Sequence, residues 1–146
     1  MATALRIGLL GAARIADEGI LAPARVLGHD VVTVAARDRG RAEAFARRHG
    51  IDRVHATYAD VVADPEVDLV YNALVNSLHA RWNVAALRAG RHVLSEKPLT
   101  SNAEATRAVR AAAAVAEGRP PCHADVRQPV DQGILFLDGP EESASA

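Results

Sequence analysis

The chain contains a single lysine, Lys97, inside the run Ser95-Glu96-Lys97-Pro98. Every other Lys or Arg position is an arginine, and of these two types only a lysine amine gives up its proton readily. The plainer reading is a surface lysine standing ahead of a helix.

A second run, Gly11-Ala12-Ala13-Arg14-Ile15-Ala16, follows a short apolar segment and is built mostly of small residues. In a strand-to-helix turn, Gly11 permits the tight bend, Ala13 lets a diphosphate approach the backbone, and Ala16 lets helix and strand pack closely. The unpaired N–H groups and the dipole of the helix would then hold the phosphates of a dinucleotide. The full fingerprint has glycine where Ala13 stands, so one methyl must be accommodated. Any small-residue turn looks similar until its context is known.

That context includes the end of the second strand, where the fingerprint expects an acid for the ribose hydroxyls. The chain reads Ala35-Ala36-Arg37 there. Without a carboxylate nothing repels a 2'-phosphate, and a guanidinium can pair with one bidentately, which favours NADP over NAD. The alternative is that Arg37 is solvated, with Asp38 capping the next helix.

Such residues need a scaffold, and the hydrophobic pattern supplies one. Leu5–Leu10, Val31–Ala36, Arg53–His55, Val67–Ala73 and His92–Ser95 read as five short strands. Between them lie helical stretches at 13–27, 38–48, 58–63 and 78–89. In the first, Pro23 signals a break or a second start. Gly50 and Gly90 supply helix stops, Ser77 is the expected N-cap before Leu78, and Ser101 with Glu104 forms a capping box ahead of an Ala-rich helix to about Glu117. Regular alternation of strand and helix implies an α/β fold, a doubly wound parallel sheet with helices on both faces.

The rhythm stops after Gly118. Residues 119–146 carry Pro120, Pro121 and Pro129 and read as an irregular tail, with one strand candidate at Gly133–Leu137. Cys122, His123 and Asp125 lie together in it but fall short of the four ligands of a structural zinc site, so no metal is expected.

Composition bounds the rest. At 146 residues, 49% hydrophobic, the chain has the size of one globular domain, here residues 1–118 with the tail attached. Aromatics make up 3%, so the core must be aliphatic. A net charge of -1 gives no electrostatic case for nucleic acid or an anionic membrane. The uncharged stretch at 7–13 is too short to span a bilayer, and one cysteine makes no internal disulfide. A cytoplasmic setting is expected.

The stretch V-D-L-V-Y-N-A-L-V-N-S-L-H-A, followed by A-A-L-R-A-G-R-H-V-L-S-E-K-P-L, resembles the Gfo/Idh/MocA oxidoreductases, and within them the dihydrodiol dehydrogenase-like members. Gly8–Ala16 and the Ala36-Arg37-Asp38 turn fit the same family, and the likeness runs over about residues 4–117. It implies a Rossmann-like domain whose cofactor is contacted by Gly8, Gly11, Ala12, Ala13, Arg14, Ile15, Ala16, Arg37, Leu74, Asn76, His79, Glu96 and Lys97. It also implies that Lys97 lies near the nicotinamide and the substrate hydroxyl, as the catalytic residue. His79 has an equally weighted alternative as a solvated residue in a first helical turn. Val75 stands where many relatives have proline.

In the family a second α/β domain follows, covers the substrate and supplies further catalytic residues; 28 residues after Gly118 are too few to build it. Three functions therefore stay open. One is an NADP-dependent oxidoreductase acting on a sugar-like or diol substrate, its site completed by a partner chain or a second copy. Another is a dinucleotide-binding module without turnover. The last is a gene product lacking its substrate domain.

Overall fold

The computed structural model describes residues 3–115 and 134–137. Its first strand, β1 (Arg6–Leu10), is followed by a π-helical turn at Asp17–Leu21 that runs directly into α1 (Ala22–Leu27). Then come β2 (Asp30–Ala35), α2 (Arg39–His49), β3 (Arg53–Val54), α3 (Tyr58–Ala63), β4 (Leu69–Asn72), α4 (Asn76–Arg88), β5 (His92–Glu96), α5 (Ala103–Val115) and β6 (Ile134–Leu137). The sheet order is β3-β2-β1-β4-β5-β6. The first five strands are mutually parallel, and β6 joins β5 antiparallel, with Leu94 opposite Phe136.

Alternation along the strands divides the core between the two faces of the sheet. Ile7, Leu9, Val34, Leu69 and Tyr71 pack with Ile20, Leu21, Ala24 and Ala46 from the π-helical turn, α1 and α2. Leu10, Ala35, Val70 and Val93 pack on the other side with Val61, Val62, Ala86, Leu87, Val109 and Ala112 from α3, α4 and α5. Helices therefore cover both faces, as the strand–helix alternation predicts. Gly8 belongs to the second face: a Cβ there would lie 2.7 Å from Val61 Cγ1 and 3.1 Å from Val67, so its bareness is what lets α3 come down onto β1.

The local stops and starts are partly those expected and partly not. Asp38 caps α2 by accepting from the Arg41 N–H at 2.8 Å, and Gly50 closes it at φ 70°. At Pro23 the chain does not break, but an α-helix starts at Ala22 with Pro23 in its first turn, the second start expected. Pro23 lacks an N–H and would press on the carbonyl four residues back, and the widened turn relieves this; the Ala22 N–H reaches the Asp17 carbonyl instead. Two expected caps are corrected. α4 begins at Asn76 with Val75 as N-cap and no side-chain cap, so Ser77 lies inside the helix. At α5 the cap is made by Asn102, whose Oδ1 accepts from the Ala105 N–H at 2.8 Å, in place of Ser101 with Glu104. α3 has an unexpected capping box, Thr57 with Asp60. β6 falls within the segment read as a strand, whereas Cys122, His123 and Asp125 lie outside the described residues.

Candidate functional site

Chain order and sheet order part company at β1, which has β2 on one side and β4 on the other. In open α/β sheets a crevice forms at such a reversal, outside the carboxyl ends of the strands. Its floor is the loop after β1. Gly11 adopts φ +97°, and its N–H donates to the Ala35 carbonyl at 2.8 Å, fastening the loop to the end of β2. A Cβ at Gly11 would meet the Ala73 carbonyl at 3.2 Å and Leu74 Cδ2 at 3.3 Å, so both conformation and space call for glycine. Ala12 and Ala13 are half-buried, Arg14 and Ile15 exposed, and Ala16 fully buried against the first core face. The N–H groups of Ala12, Ala13 and Arg14 have no hydrogen-bond acceptor among the described residues, so this turn offers small side chains and free donors together, as a diphosphate requires. Gly8 stands apart from these, inside β1, where its bareness serves helix packing.

Arg37 follows the end of β2, exposed, with no hydrogen bond or ion pair to its guanidinium among the described residues. Asp38 is engaged as the α2 cap and Arg37 is exposed beside it, as the alternative reading of this turn has it.

The far wall of the crevice rests on a buried polar chain that joins β4, α4 and β5. Asn72 Nδ2 donates to Asn83 Oδ1 at 2.8 Å and to the His79 carbonyl at 3.3 Å, and Asn83 Nδ2 donates to Ser95 Oγ at 3.0 Å. Asn72 Oδ1 accepts from the Leu74 N–H at 3.2 Å, and Ser95 Oγ donates to the Glu96 carbonyl at 3.2 Å. All three side chains are fully buried, so the set shapes the wall and does not face a ligand. Leu74 is half-buried, while Val75 and Asn76 are exposed at the rim.

His79 is placed differently from a cofactor contact. It is 1% exposed, and its ring is taken up by the protein's own backbone, with Nδ1 2.6 Å from the Pro98 carbonyl and Nε2 2.7 Å from the Leu74 carbonyl. Nor is it the solvated first-turn residue of the alternative reading. On the opposite face of β5, Glu96 accepts a hydrogen bond from the Tyr71 hydroxyl. Burial, the Glu96 hydrogen bond and the Glu96 charge all push the Tyr71 phenol above its usual range. Lys97 comes next, exposed, with no partner for its ammonium among the described residues, and a cis peptide joins it to Pro98.

Tyr71, Asn72, Asn83 and Ser95 are residues of the candidate site that sequence reasoning passed over, as is Gly19, where a Cβ would meet Tyr71 Oη and Glu96 Oε1. A signal existed for three of them: Tyr71, Asn72 and Ser95 place polar groups at the ends of strands otherwise aliphatic, where an unpaired polar atom would be costly. No cluster of three His, Cys, Asp or Glu suited to a metal occurs among the described residues, and no described helix is long and apolar enough to cross a membrane.

Comparison with known proteins agrees with this geometry. Residues 5–119 match the model of the oxidoreductase family with an NAD-binding Rossmann fold. The 1,5-anhydro-D-fructose reductase of Ensifer adhaerens is 40% identical over 108 residues, 74% of this chain and 32% of that protein. The trans-1,2-dihydrobenzene-1,2-diol dehydrogenase of Danio rerio is 38% identical over 103 residues, 68% of this chain and 30% of its own length. Among solved structures, KijD10, a 3-ketoreductase from Actinomadura kijaniata in complex with NADP and TDP-benzene, superposes with a TM-score of 0.62 at 34% identity, covering 76% of this chain and 35% of that one. The chain thus spans about a third of the length of its relatives. With its glycine turn, its switch-point crevice and its Glu96-Lys97-Pro98 strand end, the chain belongs to the Gfo/Idh/MocA oxidoreductase family, of which it carries the nucleotide-binding domain.

Proposed function

We propose that this domain binds NADP(H) and presents Lys97 to the reacting end of the cofactor, within an oxidoreductase that acts on a sugar-like or diol hydroxyl or the corresponding carbonyl. The observation that carries the reading is the free cation at the end of β2. Arg37 has no partner among the described residues, no acid takes the ribose-binding position, and the free N–H groups of Ala12, Ala13 and Arg14 lie on the neighbouring strand's loop. Diphosphate at the turn and 2'-phosphate at Arg37 use all of these donors.

A bound nicotinamide would supply the carbon that accepts or donates hydride. The chain's own part is to hold and to handle a proton. Gly11 keeps the loop open to the diphosphate, and Tyr71 orients one oxygen of Glu96. Lys97, with nothing competing for its ammonium, can orient a substrate oxygen and pass a proton to or from it. The remaining walls of a substrate site would come from a further domain, a partner chain or a second copy of this one. The runner-up is a dinucleotide-binding module that does not turn over. A cytoplasmic setting accords with the chain's single cysteine.

Calorimetric titration of the 146-residue chain with NADPH and NADH, beside Arg37→Ala, tests the proposal. NADPH is expected to bind more tightly, and the variant to weaken NADPH by about tenfold or more, worth about 1.4 kcal/mol, with NADH unchanged. Failure of both nucleotides to bind overturns it, and equal binding with a silent variant overturns the NADP assignment. Turnover of sugar or diol substrates in a nicotinamide absorbance assay separates the enzyme from the module.

A further inference from the structure

We infer that His79 is a positioning residue that ties the loop after β4 to the chain after β5, and so fixes where Lys97 stands. The inference rests on the reading of Lys97 given above. His79 lies in the first turn of α4, 1% exposed, and its two ring nitrogens are 2.6 Å and 2.7 Å from the carbonyl oxygens of Pro98 and Leu74. A carbonyl only accepts. Each ring nitrogen therefore has a backbone acceptor within hydrogen-bond reach, and the nitrogen that carries the proton donates to it. Among the described residues no carboxylate is hydrogen-bonded to the ring: Glu96 is engaged with Tyr71 on the other face of the sheet, Arg81 on the same helix is exposed, and Lys97 is the cation one residue before Pro98.

The consequence for Lys97 follows from its neighbours. Ser95 is held by Asn83, Glu96 by Tyr71, and the Pro98 carbonyl by His79. The backbone is thus fastened on both sides of Lys97, while the Lys97 ammonium itself has no partner among the described residues. Fixing the chain and leaving the head group free is the arrangement a proton-handling lysine needs, since orientation is then supplied before the ligand arrives. Leu74 belongs to the same clamp. Its carbonyl is bound by His79, and its side chain approaches Gly11, so one imidazole links the lysine segment to the wall of the dinucleotide loop.

The test uses the whole 146-residue chain labelled with nitrogen-15, as wild type, His79→Gln and His79→Leu. The amides of Val75 and Leu99, whose peptide carbonyls are the two acceptors, should move in the variants, while that of Val93 stays in place. NADPH affinity should fall about tenfold in His79→Leu, with part recovered in His79→Gln, whose amide can still donate. Adding Lys97→Ala to His79→Gln should weaken NADPH no further than Lys97→Ala alone. Unmoved Val75 and Leu99 amides in both variants overturn the clamp. Wild-type NADPH affinity in His79→Gln, or additive losses in the double variant, overturns the link to Lys97. If His79→Leu does not fold, His79→Gln decides the question. If wild type binds no nucleotide, the proposed function falls, and the amide signals still decide the clamp.

Discussion

The Tyr71 hydroxyl donates to Glu96 Oε1 across adjacent strands, and the backbone that passes over this pair is that of Gly19 in the π-helical turn. A Cβ at Gly19 would come within 2.5 Å of Tyr71 Oη and 3.3 Å of Glu96 Oε1. The turn that accommodates Pro23 is therefore also the lid of a hydrogen bond that orients a crevice carboxylate.

Gly19→Ala should cost about 1 to 3 kcal/mol through overpacking, and Tyr71→Phe about 1 to 2 kcal/mol through loss of the hydroxyl. The two should not add. Phenylalanine removes the atom the new methyl strikes, so urea unfolding of the double variant should show less than the summed loss. Strict additivity would separate Gly19 from the Tyr71–Glu96 pair.

Asn83 occupies the middle of the buried polar chain, between Asn72 and Ser95. Asn83→Ala should destabilise by about 2 to 3 kcal/mol, because it strips a partner from two fully buried polar groups at once. Replacing Asn83 with leucine should be no better, since the shape returns without the donors. Denaturant midpoints give the comparison.

Acid should act in part through Asp64, whose side chain is 3% exposed. Burial alone would raise its pKa, but the His55 hydrogen bond, the Glu66 N–H and the Arg53 charge prevail and lower it. A lowered folded value means stability that is fully present above the unfolded value of about 3.9 and is lost as pH falls through the folded one. Stability measured from pH 6 to 2.5 should fall more steeply in wild type than in Asp64→Asn.

Gly8→Ala would place a methyl 2.7 Å from Val61 Cγ1 and should cost about 1 to 3 kcal/mol. Shortening the neighbour in Gly8→Ala with Val61→Ala should recover part of that loss in thermal unfolding. An unchanged cost would place the strain elsewhere.

Much of the site was legible because its chemistry depends on residue type and position along one strand or loop. Gly11 was readable because a turn that needs φ +97° accepts little else. Arg37 and Lys97 were readable because each follows a strand end, and parallel strands bring their carboxyl ends to one edge. Ser77 and Ser101 were misread as caps for a related reason. Capping depends on where the chain turns into the helix, and neighbours at Val75 and Asn102 take that place.

The sequence by itself determined the strand and helix alternation, and with it a doubly wound sheet, the crevice at its switch point and the cations that follow β2 and β5. These follow from periodicity and residue type, which are local. Only the tertiary structure decided which way the side chains beyond the backbone turn. It directed His79 onto two carbonyls in place of a ligand, paired Tyr71 with Glu96 at a separation of 25 residues, and linked Asn72 to Ser95 through Asn83. Those partners are distant in the chain, and a hydrogen bond is specified by where both ends lie in space, a relation that no window of sequence contains.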